Sequence, residues 1–297
     1  MVLEQKINEF LQYLRFEKRY SAHTLIAYQT DLDQFSAFLT ETYGPFNFAE
    51  ITHFQLRSWL AGIKEAGASP RSVNRKMSSL NSFFRYLQKG GFINSNPVKR
   101  LHAMRLPDRL PVFLRPQETS YLLEELVFDE GFKGTTDRLI CELLYQTGMR
   151  RSELLGLRED SIEWSLKQIR VLGKGNKERL LPLGLQLLTS IRHYIQAKTD
   201  IADADRDHLL VLESGQPLYA GYIYRVVKKY LSMATTAKKK SPHVLRHTFA
   251  THLLNNGAGI QAIKELLGHS SLAATQIYAH NDIDRLKEIH KLNHPRG

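Results

Sequence analysis

Leu25, Tyr28, Leu32, Phe35 and Leu39 recur at spacings of three and four, which lays one apolar stripe along a helix. Ser21 stands where its hydroxyl can cap that helix, and residues 2–18 form an amphipathic candidate before it. Thr52 and Gln55 make a capping-box pattern that predicts a third helix. Ser69 followed by Pro70 predicts the start of a fourth, because proline fits the first helical position, and Gly90-Gly91 stops it. Four helices around one core predict a small bundle over residues 1–105.

The pattern then breaks. "NPVKRLHAMRLPDRLPVFL" carries Pro97, Pro107 and Pro111 among basic residues and predicts an extended linker near 102–112. The remainder, 106–297, reads as a second, mostly helical domain with one exception. "QIRVLGKGNKERLLPL" has β-prone runs at 168–172 and 179–183 around the turn "GKGNK", a hairpin signal. The predicted fold class is therefore mainly α, an N-terminal helical bundle plus a helical C-terminal domain with a small β-hairpin. The acidic loop "DIADADRDH", 200–208, is expected to be only solvated.

A chain of 297 residues is long for one core and suits two domains. No run approaches the ~18–20 consecutive apolar residues of a membrane span. "MVLEQKINEFLQYL" lacks the apolar region of a signal peptide. These features lead us to expect no membrane association and a cytoplasmic location. The single cysteine, Cys141, cannot form an internal disulfide and reads as a buried thiol.

The net charge of +11 says little by itself, but its distribution says more. Residues 64–100 hold Lys64, Arg71, Arg75, Lys76, Arg85, Lys89, Lys99 and Arg100 against the single acid Glu65. Ser and Asn interleave there, side chains that commonly bond phosphate oxygens. Arg71, Arg75, Lys76 and Arg85 are the candidate DNA contacts; a solvated helix face is the alternative.

"SPHVLRHTFATHLLNNG", 241–257, puts His243, Arg246, His247 and His252 within ten positions. His243 and His247 share a helix face as zinc ligands do, but the metalloprotease pattern needs Glu where Val244 stands, and no further ligands lie nearby. No metal and no cofactor are expected. "GKGNK" is not a P-loop either, since its glycines are too close. A phosphate fits better. Ser241-Pro242 marks a helix start, so His243 and Arg246 lie in the first turns, where free N–H groups favour an anion and a guanidinium can bind it bidentately. His247 and His252 need not join them: one or both read as structural, the alternative being a place behind the residues that touch the phosphate. Arg150 in "TGMR" sits near another helix start, a weak signal alone. Tyr278 follows "LGHSS" on a helix where tyrosine is ordinarily packing.

Taken together, "TGMRRSELLGL", "GKGNKERLLPL", "HVLRHTFATHLLNNG" and "LLGHSSLAATQIYAH" resemble the tyrosine recombinase (phage integrase) family, and within it the bacterial Xer subgroup that resolves chromosome dimers. The N-terminal "F..YL..E...S..T..AY..DL..F..FL" pattern extends the resemblance over nearly the whole chain. It implies a SAM-like core-binding domain at 1–105 and a catalytic domain at 106–297. It also implies six catalytic residues: Arg150, Lys174, His243, Arg246, His269 and the nucleophile Tyr278. In these roles, Arg150 and Arg246 clamp the non-bridging oxygens. His243 and His269 add hydrogen bonds and help move the tyrosine proton. Lys174 protonates the departing 5′-oxygen, and Tyr278 forms a 3′-phosphotyrosine.

The implied partners are a double-stranded DNA recombination site, further protomers in a homo- or heterotetramer, and a DNA translocase of the FtsK type. Alternatives are a mobile-element integrase, a type IB topoisomerase-like enzyme and a non-catalytic DNA-binding protein. Ile283, Leu286, Ile289 and Leu292 form a short apolar stripe in the C-terminal tail, read as docking on a neighbouring protomer or as capping its own core.

Overall fold

In the computed structural model, the described residues are 3–44, 46–106, 112–173 and 177–268. The chain divides into two units, 1–109 and 110–297.

The first unit is built from four helices: α1 (Leu3–Phe16), α2 (Ala22–Tyr43), α3 (His53–Glu65) and α4 (Pro70–Lys89). Local chemistry sets their starts. The Ser21 hydroxyl accepts from the Thr24 amide at 3.4 Å, and the Ser69 hydroxyl accepts from the Ser72 amide at 3.2 Å. At α3, the Gln55 side chain accepts the Thr52 amide at 2.8 Å. The stripe read on α2 is the one that points inward, with Leu32, Phe35 and Leu39 essentially without solvent contact. Aromatic rings fill the centre: Phe10 lies edge-on to Phe83 at 5.4 Å between centroids, and Phe35 against Trp59 at 5.1 Å.

The expected linker at 102–112 is partly tied down. Residues 101–106 have no regular structure, yet Asn74 of α4 both donates to the Met104 carbonyl and accepts its amide, each at 2.8 Å. The amide side chain thus replaces a backbone strand partner, which the proline pattern alone does not reveal. Pro107 and Pro111 lie outside the described residues.

The second unit packs around α6 (Gly131–Thr147), whose Ile140, Cys141, Leu143 and Leu144 are fully buried. Burial pushes the Cys141 thiol pKa far up, so it stays an inert thiol. A short α5 (Pro116–Ser120) runs into a π-turn at Tyr121–Glu125. After α6 come α7 (Arg151–Leu155) and a three-stranded antiparallel sheet of β1 (Ile162–Glu163), β2 (Gln168–Leu172) and β3 (Glu178–Pro182) in that order. Arg170 pairs with Leu180, and β3 begins one residue earlier than the sequence pattern predicts. β1 was not expected, because two residues are too few to display a period of two.

Among the described residues that follow are the helices α8 (Leu185–Lys198), α9 (Ala220–Ala234), α10 (Pro242–Asn255) and α11 (Ile260–Leu267). The acidic loop 200–208 is more than solvated surface. Asp205 accepts from the His208 amide at 2.7 Å and from its Nδ1 at 2.9 Å, and Asp207 pairs with Arg158 at 3.0 Å. The buried Lys198 donates to the His208 carbonyl at 2.6 Å and to Glu159 at 2.8 Å, which anchors the loop to α8. No described helix is long and apolar enough to cross a membrane.

Candidate active site

α6 ends at Gly148, which has φ of +62°. A Cβ there would sit 2.3 Å from Cδ1 of Phe249, so the left-handed turn and the crowding both demand glycine. The turn delivers Arg150 to the N-cap of α7. Arginine has no acceptor to cap a helix, so Glu153 turns back instead. Its Oε2 accepts the Arg150 amide at 2.6 Å, and its Oε1 accepts from the Arg150 guanidinium at 2.7 Å.

Arg246 comes from α10, in the second turn after the Ser241–Pro242 start. It is buried, with only 5% of its surface exposed. Its guanidinium donates to the Gly148 carbonyl and to the Leu267 carbonyl, both at 2.6 Å. Arg150 donates to the neighbouring Gly268 carbonyl at 2.9 Å. The C-terminal end of α11, where unpaired carbonyls concentrate negative potential, therefore holds both arginines in place.

Arg150, Arg246 and His243 line one cavity of about 170 Å³, together with Arg151, Tyr224 and the first residues of α10. Among the described residues, no carboxylate lines it. The N-terminal end of α10 borders the cavity, and its amide dipoles add to the arginine charge. Partial burial, then the charges of Arg246, Lys239, Arg151 and Arg150, push the His243 pKa below the ordinary imidazole value. The shift favours the uncharged imidazole, which can accept a proton. A cationic pocket whose described lining holds no carboxylate, with a histidine that favours its neutral form, is suited to binding and polarising a phosphodiester. Among the described residues, no three His, Cys, Asp or Glu side chains are grouped to hold a metal ion.

The neighbouring histidines differ. His252 takes Tyr145 at its Nδ1, 3.0 Å away, and the Leu114 carbonyl at its Nε2, 2.9 Å away, which anchors the start of this unit to α10. His247 lies one turn beyond His243. Burial, then the charges of His243, Lys239 and Arg246, push its pKa down to about 4. Lys174, His269, Tyr278 and the tail stripe at Ile283, Leu286, Ile289 and Leu292 lie outside the described residues.

Glu153 was missed by sequence reasoning, although it sits three residues after Arg150. Burial favours its neutral form, but hydrogen bonds from Arg179 and from the Arg150 amide, then the Arg179 charge and the Arg150 side-chain bond, outweigh that and hold its pKa at about 2. The "S/T/D/N" rule for helix caps does not anticipate a reversed cap, in which only the N3 carboxylate contributes.

In the first unit the four basic candidates separate into two pairs. Arg75 and Lys76 both pair with Asp31, which is fully buried; Lys76 lies 2.9 Å from it, and Ser79 donates to it at 2.8 Å. Lys76 also bonds Gln34 and is largely buried, so in this conformation it is engaged inside the bundle. Arg75 keeps about half of its side chain exposed. Arg71 and Arg85 are exposed. Asp31 lies more than forty residues before its partners, too far for a local pattern to expose the pairing.

Residues 113–285 match the phage integrase family, and residues 7–91 match the phage integrase N-terminal SAM-like domain. The tyrosine recombinase XerC of Listeria innocua is 38% identical over 97% of this chain and 97% of its own. That of Chlorobaculum tepidum is 33% identical over 98% and 94%. Among solved structures, the XerH site-specific recombinase bound to palindromic difH substrate in a post-cleavage complex has the same fold, with a TM-score of 0.78 at 22% identity over 95% of this chain and 82% of that one. The full-length matches, together with the order of the four motifs along the chain, place it in the phage integrase family of tyrosine recombinases.

Proposed function

We propose that the protein is a site-specific DNA recombinase that cuts and rejoins DNA through a covalent 3′-phosphotyrosine, acting in chromosome dimer resolution and segregation. The observation that carries this reading is the cavity in which Arg150, His243 and Arg246 meet the N-terminal end of α10, with no carboxylate among its described lining residues. The relatives named tyrosine recombinase XerC support it.

In this mechanism the Tyr278 oxygen forms a bond to the scissile phosphorus as the P–O5′ bond breaks. The tyrosine proton passes to the histidines, with His243 uncharged and ready to take part, and Lys174 supplies a proton to the departing 5′-oxygen. Arg150 and Arg246 stabilise the charge that grows on the non-bridging oxygens. The ester keeps the energy of the broken phosphodiester, so rejoining needs no nucleotide hydrolysis. His269 completes the constellation.

Residues 1–105 form the core-binding domain, with Arg71, Arg85 and the exposed part of Arg75 on phosphate, and residues 106–297 form the catalytic domain. The protein works on a double-stranded DNA site as part of a homo- or heterotetramer in the cytoplasm, under a translocase of the FtsK type. The test is exchange between two copies of a site selected by binding from randomised DNA. Products with swapped flanks, absent with Tyr278→Phe, are expected. Relaxation of supercoils without exchange would instead indicate a topoisomerase-like enzyme.

A further inference from the structure

Arg179 of β3 engages all three guanidinium nitrogens within its own chain. Its two terminal nitrogens donate to the two oxygens of Glu153, each at 2.8 Å, and its Nε donates to the Leu266 carbonyl at 2.7 Å. The side chain is only 13% exposed. It does not line the cavity that holds Arg150, His243 and Arg246.

We propose that Arg179 is a positioning residue for strand cleavage: it sets the orientation of Arg150 by sharing Glu153 with it and by holding the end of α11. The inference rests on the recombinase reading above. Three observations carry it. First, Oε1 of Glu153 accepts from both guanidinium groups while Oε2 accepts from Arg179 and from the Arg150 amide, so the Arg150 side chain donates one bond to the carboxylate instead of gripping it with two. Without Arg179, the buried carboxylate has one guanidinium left to neutralise it, and a bidentate pairing would turn Arg150 toward Glu153.

Second, Arg150 turns its other terminal nitrogen to the Gly268 carbonyl. Of the five N–H groups of its guanidinium, bonds to described residues occupy these two, which leaves three for a phosphate. Third, the chain at Gly268, with φ of +62°, passes directly over Arg179: a Cβ there would lie 3.2 Å from the Arg179 guanidinium. The carbonyl that Arg150 uses is thus placed by Arg179 from two sides, through Leu266 and through Gly268. A strut of this kind fixes the direction of Arg150 without touching the substrate.

The experiment compares single-turnover cleavage of a nicked site carrying either the normal scissile phosphate or a methylphosphonate. In the methylphosphonate a methyl group replaces one non-bridging oxygen, so the charge that Arg150 must neutralise is gone. Native protein, Arg179→Met and Arg179→Lys are assayed with half-site binding and thermal melting alongside. If Arg179 acts through Arg150, Arg179→Met slows cleavage of the phosphate on the order of 100-fold, slows cleavage of the methylphosphonate by less than about fivefold, and leaves binding within about threefold.

Arg179→Lys keeps a charge but not the fork. It should show the same selective defect to a smaller degree, and it serves in place of Arg179→Met should that variant fail to fold. Equal slowing on both substrates, or a native rate on the phosphate, overturns the inference alone. No cleavage of either substrate by the native protein overturns the recombinase reading and this inference with it.

Discussion

The Arg246 guanidinium donates to the carbonyl oxygen of Leu267 at 2.6 Å, so a buried cation of α10 closes the C-terminal end of α11. The same side chain bonds the Gly148 carbonyl, and therefore joins the turn that carries Arg150 to the helix that ends before His269. One residue both presents charge to the cavity and sets the spacing of the two segments beside it.

Replacing Arg246 by lysine keeps the charge but removes the planar fork that reaches both carbonyls. Arg246→Lys should bind a half-site nearly as well as the native protein while cleaving on the order of 100-fold more slowly. Gel shift and single-turnover cleavage measure the two effects separately. Loss of both in equal measure would mean that Arg246 serves binding and not the transition state.

Glu153→Ala removes the carboxylate that neutralises Arg150 and Arg179 together. Stability should fall by about 3 kcal/mol, because two partly buried guanidinium groups lose their partner. Chemical denaturation reads this directly. The group's depressed pKa gives a second signature. Its contribution is complete above the ordinary value of 4.5 and is lost as pH falls through about 2, so the gap between native and variant should close in strong acid. A gap that stays constant down to that range would contradict the ion-pair account.

Much of the fold was legible because its signals are local. Ser21, Thr52 with Gln55, Ser69-Pro70 and Gly90-Gly91 act within one turn of the helices they begin or end. Arg150, His243 and Arg246 were legible as motifs, and the cavity they share joins segments about a hundred residues apart. What stayed hidden are pairings that only folding creates. Asp31 draws Lys76 into the bundle and takes a share of Arg75, whose side chain stays half exposed on the basic face. Glu153 and Arg179 lie twenty-six residues apart and look like ordinary surface charges until β3 brings them together. His252 was legible as a histidine that need not join the phosphate cluster, but its partners, Tyr145 and the Leu114 carbonyl, were not.

That division in the first unit is open to direct test. Arg71→Ala with Arg85→Ala should flatten the log–log dependence of DNA binding on salt by roughly two units, close to one for each phosphate that is no longer neutralised. Lys76→Met should leave the slope within roughly half a unit of native while lowering the melting temperature, since Lys76 serves Asp31. Titrations at several salt concentrations decide it. A slope changed by Lys76→Met alone would return that lysine to the DNA.

His247 predicts a dependence on pH. Its pKa is depressed from 6.5 to about 4, so folding favours the neutral ring. The stability it contributes is complete above pH 6.5 and is lost as pH falls through about 4. His247→Gln cannot titrate. Its melting temperature should decline less over that window than that of the native protein, by roughly 2–4 °C, the shift that about 1 kcal/mol produces in a unit of this size. Parallel curves for the two proteins would contradict the assignment.

In the proposed mechanism fixed cations, without a metal, hold a phosphate for attack by Tyr278. A nicked site traps the covalent intermediate, since the departing 5′ fragment diffuses away. The measurement is mass spectrometry of the SDS-resistant adduct formed in excess EDTA. The account predicts an undiminished yield in EDTA, with the nucleotide attached through its 3′-phosphate to the peptide containing Tyr278 and no adduct from Tyr278→Phe. An adduct on another residue, or one that needs magnesium while DNA binding is unchanged, would contradict it.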